Sequence, residues 1–131
     1  MTHSDADTIL RGRRVLVVED EVLVAMELDS ILRAQGCLVL GPATTIQRAL
    51  VLIEQRQPEA ALLDLNLGGE SALPVATALN ARSVPFLIVS GYSERQSREP
   101  ELSQAPRLAK PVNHHQLVDA LQQVLTTVPP A

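Results

Sequence analysis

Four short apolar runs, each followed at once by a polar residue, constrain the fold of this chain most strongly. They are residues 15–18 before Glu19 and Asp20, residues 60–63 before Asp64, residues 86–89 before Ser90, and residues 108–109 before Lys110. Short runs rich in leucine and β-branched residues, separated by stretches of helical periodicity, are typical of parallel strands buried on both faces. Ligands gather at the carboxyl ends of such strands. The sequence therefore predicts one crevice that collects three carboxylates, a hydroxyl and an ammonium.

The segments between these runs predict the rest of the fold. Residues 38–40 form another strand-like run, which Gly41-Pro42 is expected to close. Apolar residues recur at helical spacing in four segments, namely residues 21–35, the residues after Thr45, residues 72–79 and the residues after Asn113. Because parallel strands need right-handed crossovers, the sequence predicts an α/β fold with a doubly wound, five-stranded parallel sheet of order 2-1-3-4-5.

One segment breaks this rhythm. Between Ser93 and Ser103 only Leu102 is apolar, and Pro100 and Pro106 interrupt the chain. A full amphipathic helix does not fit this composition, so the fourth helix is predicted to be short or irregular.

Length and composition bound the class of protein. A chain of 131 residues that is 46% hydrophobic forms one domain with a real core, here predicted over residues 13–126. Residues 1–12 are predicted to be a loose leader and residues 127–131 a tail. A net charge of −4 with dispersed arginines gives no reason to bind nucleic acid or anionic lipid.

Cysteine usage and the absence of long apolar runs indicate a compartment. Cys37 is the only cysteine, so no internal disulfide forms, and a small buried hydrophobe is its expected role. No signal peptide or run of about 20 apolar residues occurs. We therefore expect a cytoplasmic location and no membrane contact.

The residues at the strand ends are suited to phosphorus chemistry. Asp64 can act as a nucleophile toward phosphorus. Glu19, Asp20 and Asp64 would repel one another in a partly desolvated cleft unless a cation lies among them, and hard oxygen ligands with room for water suit Mg²⁺. A backbone carbonyl at Asn66 is a candidate further ligand. Taken alone, Glu19, Asp20 and Glu21 fit equally well as charges that favour a helix start.

A cation and a hydroxyl complete the predicted site. Lys110 is the only lysine among 11 basic residues and stands directly before Pro111. Its ammonium is a point charge suited to a phosphoryl oxygen. Ser90 is placed to donate its hydroxyl to another oxygen of the same group. These residues outline a site for a transferred phosphoryl group.

These motifs together resemble the receiver domain of two-component response regulators. The resemblance rests on Val17-Val18-Glu19-Asp20-Glu21, Leu62-Leu63-Asp64, Ser90-Gly91 and Lys110-Pro111, and it covers residues 13–125. It implies the flavodoxin-like (CheY-like) form of the predicted fold. It also implies that Asp64 accepts phosphate from a histidine kinase, and that Ser90 and Lys110 bind the phosphoryl oxygens. Asp20, Asp64 and the Asn66 carbonyl would bind Mg²⁺, Glu19 would assist through water, and the Lys110–Pro111 peptide would be cis.

Two departures from the family pattern concern signalling. Receivers commonly carry Tyr or Phe three positions before the conserved lysine, where this chain has Arg107. The weak fourth helix and the segment from Phe86 through Gly91-Tyr92 loosely resemble the receiver subgroup nicknamed FAT GUY. Tyr92 is a candidate replacement for the aromatic switch.

The leading hypothesis is a single-domain response regulator, since no output domain follows the last helix. Its expected partners are a histidine kinase or histidine phosphotransfer protein and a downstream effector protein, with a homodimer possible. One alternative is a phosphate-independent, receiver-like interaction module, which Arg107 motivates. Another is a small aspartyl-nucleophile phosphohydrolase, although Asp64-Leu65-Asn66 lacks the second carboxylate that would serve as general acid.

Overall fold

A five-stranded parallel sheet lies between helices on both of its faces. The computed structural model describes residues 9–91, 100–103 and 105–126. In chain order the elements are β1 (Arg14–Val18), α1 (Val22–Ala34), β2 (Leu38–Ala43), α2 (Ile46–Arg56), β3 (Ala60–Asp64), β4 (Asn66–Leu67), β5 (Glu70–Ser71), α3 (Leu73–Ala81), β6 (Phe86–Ser90), α4 (Pro100–Ser103), β7 (Arg107–Ala109) and α5 (His114–Thr126). The strand order β2-β1-β3-β6-β7 confirms the predicted 2-1-3-4-5 arrangement.

Each face of the sheet has its own hydrophobic core. Helices α2 and α3 pack on one face, where Leu16, Leu63 and Ile88 are fully buried. Helices α1 and α5 pack on the other, against Val17 and Leu62. Because side chains of a strand alternate between faces, the continuous apolar runs in the sequence supply both cores at once. This burial fixes the sheet register, and with it the positions of the strand ends.

Strand β2 continues past the point where the sequence predicts its end. Instead of closing at Gly41-Pro42, it runs to Ala43, and its register against β1 shifts between Leu16 and Val18. Gly41 makes this irregularity possible, since its φ is +99° and a Cβ there would meet the Ala43 nitrogen at 2.6 Å. Pro42 is tolerated because β2 is an edge strand.

Two helices begin at the capping residues that the sequence predicts. The Thr45 hydroxyl accepts a hydrogen bond from the Arg48 backbone N–H at 3.1 Å. The Asn113 side-chain oxygen accepts one from the Gln116 N–H at the same distance. Each cap satisfies a backbone donor that the first helical turn leaves unpaired.

The glycine-bearing loop after β3 is a small antiparallel hairpin rather than irregular chain. Strands β4 and β5 pair Asn66 with Ser71 and Leu67 with Glu70. Gly68 and Gly69 form the connection with φ values of +58° and +90°. Positive φ at both residues is what a two-residue turn of the favoured hairpin type requires. The hairpin directly follows Asp64 and so borders the predicted site.

The carboxyl end of the predicted leader contacts one of the two hydrophobic cores. Leu10 is fully buried among the side chains of the α1–α5 core. The Gly12 N–H donates to the Gly36 carbonyl at 2.7 Å. Residues 9–12 therefore belong to the packed domain, and the earlier part of the predicted leader lies outside the described residues.

The described part of the fourth helix is a single turn, Pro100–Ser103, and residues 92–99 lie outside the described residues. Leu102 in this turn is buried, as its isolated apolar character suggests. Within the part of the chain that the structure describes, no helix has the length and apolar character that a membrane span requires.

Candidate functional site

The carboxyl ends of β1, β3 and β7 bring together the charged residues singled out in the sequence. Glu19, Asp20 and Asp64 each place a carboxylate oxygen within 4.8 Å of the other two. Lys110 Nζ lies 3.2 Å from Glu19 Oε1 and 3.6 Å from Asp64 Oδ2. Three acidic groups and one ammonium thus occupy one small volume at the end of the sheet.

Burial differs sharply within this cluster. Glu19 and Asp64 are buried, and the Lys110 side chain is only 11% exposed, whereas Asp20 is partly exposed. Removing charged groups from water costs several kcal/mol for each ion unless partners offset it, so the ammonium compensates the two buried carboxylates. Asp64 is accordingly a buried carboxylate beside a cation, and Asp20 is the member of the cluster that water reaches.

Opposing effects act on the Lys110 ammonium. Burial by itself lowers the pKa of Lys110, but the hydrogen bond to Glu21 and the charges of Asp64 and Glu19 raise the pKa by more. The net effect raises the pKa of Lys110 above its ordinary value. Lys110 is therefore a permanent cation at physiological pH, as an anion-binding group must be.

The two oxygens of the Glu19 carboxylate differ in their contacts. Its Oε2 accepts hydrogen bonds from the Glu21 N–H at 3.0 Å and from Lys110 Nζ at 3.3 Å. Its Oε1 is buried and has no hydrogen-bond partner among the described residues, although Lys110 Nζ is close enough for an ion pair. A buried oxygen in this state is suited to a metal-bound water. The donor set of hard carboxylate oxygens fits Mg²⁺.

The hairpin after β3 contacts the acidic cluster. The Gly68 N–H donates to Asp20 Oδ2 at 2.8 Å, and the Asn66 N–H donates to Asp64 Oδ1 at 3.4 Å. The exposed Asn66 side chain accepts from the Gly69 N–H at 2.8 Å, which stabilises the turn. The role of the Asn66 carbonyl as a metal ligand stays a prediction.

Ser90 ends β6 and is buried. It pairs with Ala109 in β7, and its carbonyl accepts from the Lys110 N–H at 2.8 Å. Asp64 pairs with Val89, the residue before Ser90. The sheet register therefore sets Ser90 between the strands that carry Asp64 and Lys110, and its phosphoryl contact stays a prediction. The Lys110–Pro111 peptide is cis, which confirms the expectation from the resemblance.

Sequence reasoning did not assign two residues that contact the cluster. Glu21 occupies the N-cap position of α1, but its side chain makes no capping hydrogen bond and instead reaches Lys110 Nζ at 2.6 Å. Gly68 holds Asp20 through its amide. Two adjacent glycines between Leu67 and Glu70 are a known hairpin signal, so Gly68 could have been found. No sequence signal predicts the reach of Glu21, because an exposed glutamate has many rotamers.

The structure describes one of the two residues that the departures from the family pattern single out. Tyr92 lies outside the described residues, so its switch role and the FAT GUY subgroup stay predictions. Arg107 begins β7 and is half-buried, and its Nη2 atom is buried without a hydrogen-bond partner in the described part of the chain.

Comparison with known proteins agrees with this geometry. Residues 15–122 match the family described as the response regulator receiver domain. The transcriptional regulatory protein PdtaR of Mycobacterium tuberculosis is 28% identical over 122 residues, covering 91% of this chain and 59% of the relative. The phyllosphere-induced regulator PhyR of Methylorubrum extorquens is 31% identical over 114 residues, covering 85% of this chain and 43% of the relative. The chain thus spans about half the length of these two curated relatives.

A solved receiver-domain structure is similar to this chain. The solution structure of the Erythrobacter litoralis PhyR response regulator REC domain superposes with a TM-score of 0.81 and 25% sequence identity. That alignment covers 93% of this chain and 98% of the other domain. The family match covers most of the residues, and it agrees with the strand order and with the acidic cluster beside its lysine. The chain therefore belongs to the response regulator receiver domain family.

Proposed function

We propose that Asp64 accepts a phosphoryl group from a histidine kinase or histidine phosphotransfer protein, and that the chain signals through protein contacts as a response regulator. The observation that supports this most directly is the position of Lys110, whose ammonium lies 3.6 Å from the Asp64 carboxylate. A cation beside a buried carboxylate offsets the charge that a phosphoryl group brings to it.

In the proposed reaction, one Asp64 oxygen forms a bond to phosphorus. The bond from phosphorus to the donor's imidazole nitrogen breaks, and its electron pair stays on that nitrogen. The protein does little covalent chemistry beyond supplying this oxygen, so positioning and electrostatics carry the catalysis. Lys110 and the Ser90 hydroxyl are proposed to contact the phosphoryl oxygens.

Mg²⁺ would be held by Asp20, Asp64 and the Asn66 carbonyl, with Glu19 acting through water. When bound, the ion neutralises charge on the phosphoryl group and on the acidic cluster. Two observations support this assignment: Glu19 Oε1 is buried with no hydrogen-bond partner in the described ranges, and the three carboxylates lie within 4.8 Å of one another.

An exposed apolar patch beside the site is the proposed contact for the phosphodonor. On the first turns of α1, Val22 is 67%, Leu23 81% and Met26 62% exposed. The patch directly follows Glu21, which contacts Lys110. A partner that brings a phosphohistidine to Asp64 would cover these side chains, and apolar side chains exposed together are typical of contact surfaces.

The test is intact mass after incubation with acetyl phosphate, with and without Mg²⁺. We expect one Mg²⁺-dependent phosphoryl adduct in the wild type and in Asp119→Asn, which removes an exposed carboxylate on α5 away from the cluster. Asp64→Asn should form none. An adduct that persists in Asp64→Asn would reject Asp64 as the acceptor.

Arg107 favours a second candidate, a phosphate-independent interaction module. The family's usual aromatic is absent at this position, so an altered phosphoryl state has no ordinary way to be read there. This candidate predicts that partner affinity is the same for the wild type, the phosphorylated protein and Asp64→Ala. Any dependence of partner affinity on phosphorylation would exclude it.

A further inference from the structure

Glu21 uses its side chain for something other than capping the helix that it begins. It is the N-cap residue of α1, where Ser, Thr, Asp and Asn are preferred because their short side chains reach the first backbone amides. The Glu21 side chain makes no such bond. Its Oε1 lies 2.6 Å from Lys110 Nζ, which is closer than any oxygen of Glu19 or Asp64.

The three carboxylates around Lys110 differ in whether water could solvate them if the ammonium moved away. The Glu19 and Asp64 side chains are 1% and 2% exposed, so neither can be solvated in place of the ammonium. The Glu21 side chain is 60% exposed. Water can therefore replace Lys110 as the partner of Glu21 at small cost, as it does for exposed ion pairs in general.

A lysine ammonium has three N–H donors and no acceptor. Glu21 Oε1 and Glu19 Oε2 each accept a hydrogen bond from it, and Asp64 Oδ2 lies at ion-pair distance, 3.6 Å, so three carboxylates surround the ammonium before any phosphoryl group arrives. A phosphoryl oxygen that binds Lys110 competes with these carboxylates for the ammonium. Glu21 is the one that can leave, because it alone combines a short contact with exposure.

We propose that Glu21 is a positioning residue that holds Lys110 beside Asp64 in the unphosphorylated protein and is exchanged for the phosphoryl group when Asp64 is modified. The inference rests on the proposed function. It makes Glu21 a competitor of the phosphoryl group for Lys110, so removing the contact favours phosphorylation.

Three variants separate contact from charge. Glu21→Gln keeps the length but replaces the ion pair with Lys110 by a weaker hydrogen bond to a neutral oxygen, while Glu21→Asp keeps the charge but lacks the reach to Lys110. Glu27→Gln is the matched control, since Glu27 is an exposed carboxylate on the same helix with no ion pair in the described part of the chain. Competition for Lys110 predicts that both Glu21 variants react faster than the wild type and that Glu27→Gln behaves as the wild type.

The first readout is the rate of phosphoryl-adduct formation by acetyl phosphate at saturating Mg²⁺ and low donor concentration. We expect both Glu21 variants to react roughly two- to five-fold faster than the wild type, equivalent to about 0.4–1 kcal/mol, the range found for exposed ion pairs. The second readout is the side-chain nitrogen signal of Lys110, which needs no assignment because Lys110 is the only lysine. It should shift in both Glu21 variants and stay in place in Glu27→Gln.

The outcomes are distinguishable. An adduct that forms at the wild-type rate or more slowly in Glu21→Gln overturns the exchange and leaves the proposed function intact. An equal acceleration in Glu27→Gln also overturns it, because net charge would then be the cause. No adduct in the wild type or in any variant rejects the proposed function, and the role of Glu21 with it.

Discussion

Replacing Asp20 with asparagine should make the protein more stable without Mg²⁺ and less stable than the wild type with it. The substitution conserves shape and removes one of three carboxylates that lie within 4.8 Å of one another. It leaves Lys110 paired with Glu19 and Asp64. The change therefore tests whether the site stores electrostatic repulsion that a cation relieves.

The magnitude follows from the spacing. Two unit charges 4.8 Å apart repel by about 3.5 kcal/mol at an effective dielectric constant of about 20. Asp20 is partly exposed, so water screens this repulsion, and attraction to Lys110 offsets more of it. The Gly68 N–H can still donate to an asparagine oxygen, with a loss of under about 1 kcal/mol. We expect Asp20→Asn to raise the free energy of unfolding by about 1–2 kcal/mol when no divalent cation is present.

Mg²⁺ should reverse the order of the two proteins. A ligand that binds only the folded state stabilises it by about 2.7 kcal/mol at 100 times its dissociation constant. The wild type would gain this, and Asp20→Asn, with a weakened donor set, would gain far less. Urea unfolding followed by circular dichroism in EDTA and again in Mg²⁺ measures both effects.

Glu27→Gln serves as the control, since it removes an exposed carboxylate on α1 away from the cluster. Its stability should stay within about 0.5 kcal/mol of the wild type in both conditions. Repulsion among the carboxylates is refuted if Asp20→Asn is less stable than the wild type in EDTA, and the role of Asp20 as a Mg²⁺ ligand is refuted if Mg²⁺ stabilises the two proteins equally.

Three further predictions concern the fold. Burial raises the pKa of the Cys37 thiol from 9.0 to about 11. The folded state then keeps a proton that the unfolded chain loses, so the free energy of unfolding should fall as pH rises from 9.0 towards 11, and Cys37→Ala should remove this part of the pH dependence in urea titrations. Gly41→Ala should cost more than about 2 kcal/mol in thermal unfolding, because φ is +99° and a Cβ would lie 2.6 Å from the Ala43 nitrogen; a neutral effect would refute the described backbone irregularity in β2. Leu10→Ala should cost about 3 kcal/mol in urea unfolding, because the side chain is fully buried, whereas a loose leader would give no change.

The sheet could be predicted because each strand is a run of consecutive residues with a recognisable pattern. Runs such as residues 60–63 are apolar throughout, which only strands buried on both faces need, and the polar residue after each run marks its end. The caps at Thr45 and Asn113 were predictable for a similar reason, since the cap contact joins residues three apart. In both cases, residues that are close together in the sequence are enough to specify the local structure.

The features that the sequence did not give depend on distant or conformationally free groups. Leu10 is buried because α1 and α5 are nearby, which the polar composition of the first residues conceals. Strand β2 continues past Gly41-Pro42 because β1 offers pairing partners to Ala43. The Glu21 contact joins residues 89 apart in the sequence and depends on the rotamer of an exposed side chain. In each case tertiary context, rather than local propensity, decides the outcome.

The site itself is a consequence of the sheet register. Val18 pairs with Leu63, Asp64 with Val89 and Ser90 with Ala109, so each strand ends level with its neighbour or one residue beyond it. Because side chains alternate between faces, a slip of one residue in any pair would move a reactive group to the opposite face of the sheet. The apolar cores that fix this register on both faces therefore also fix the distance from Lys110 to Asp64. A substitution in β3 that loosens packing without touching a charged residue should for that reason disturb the chemistry as well as the stability.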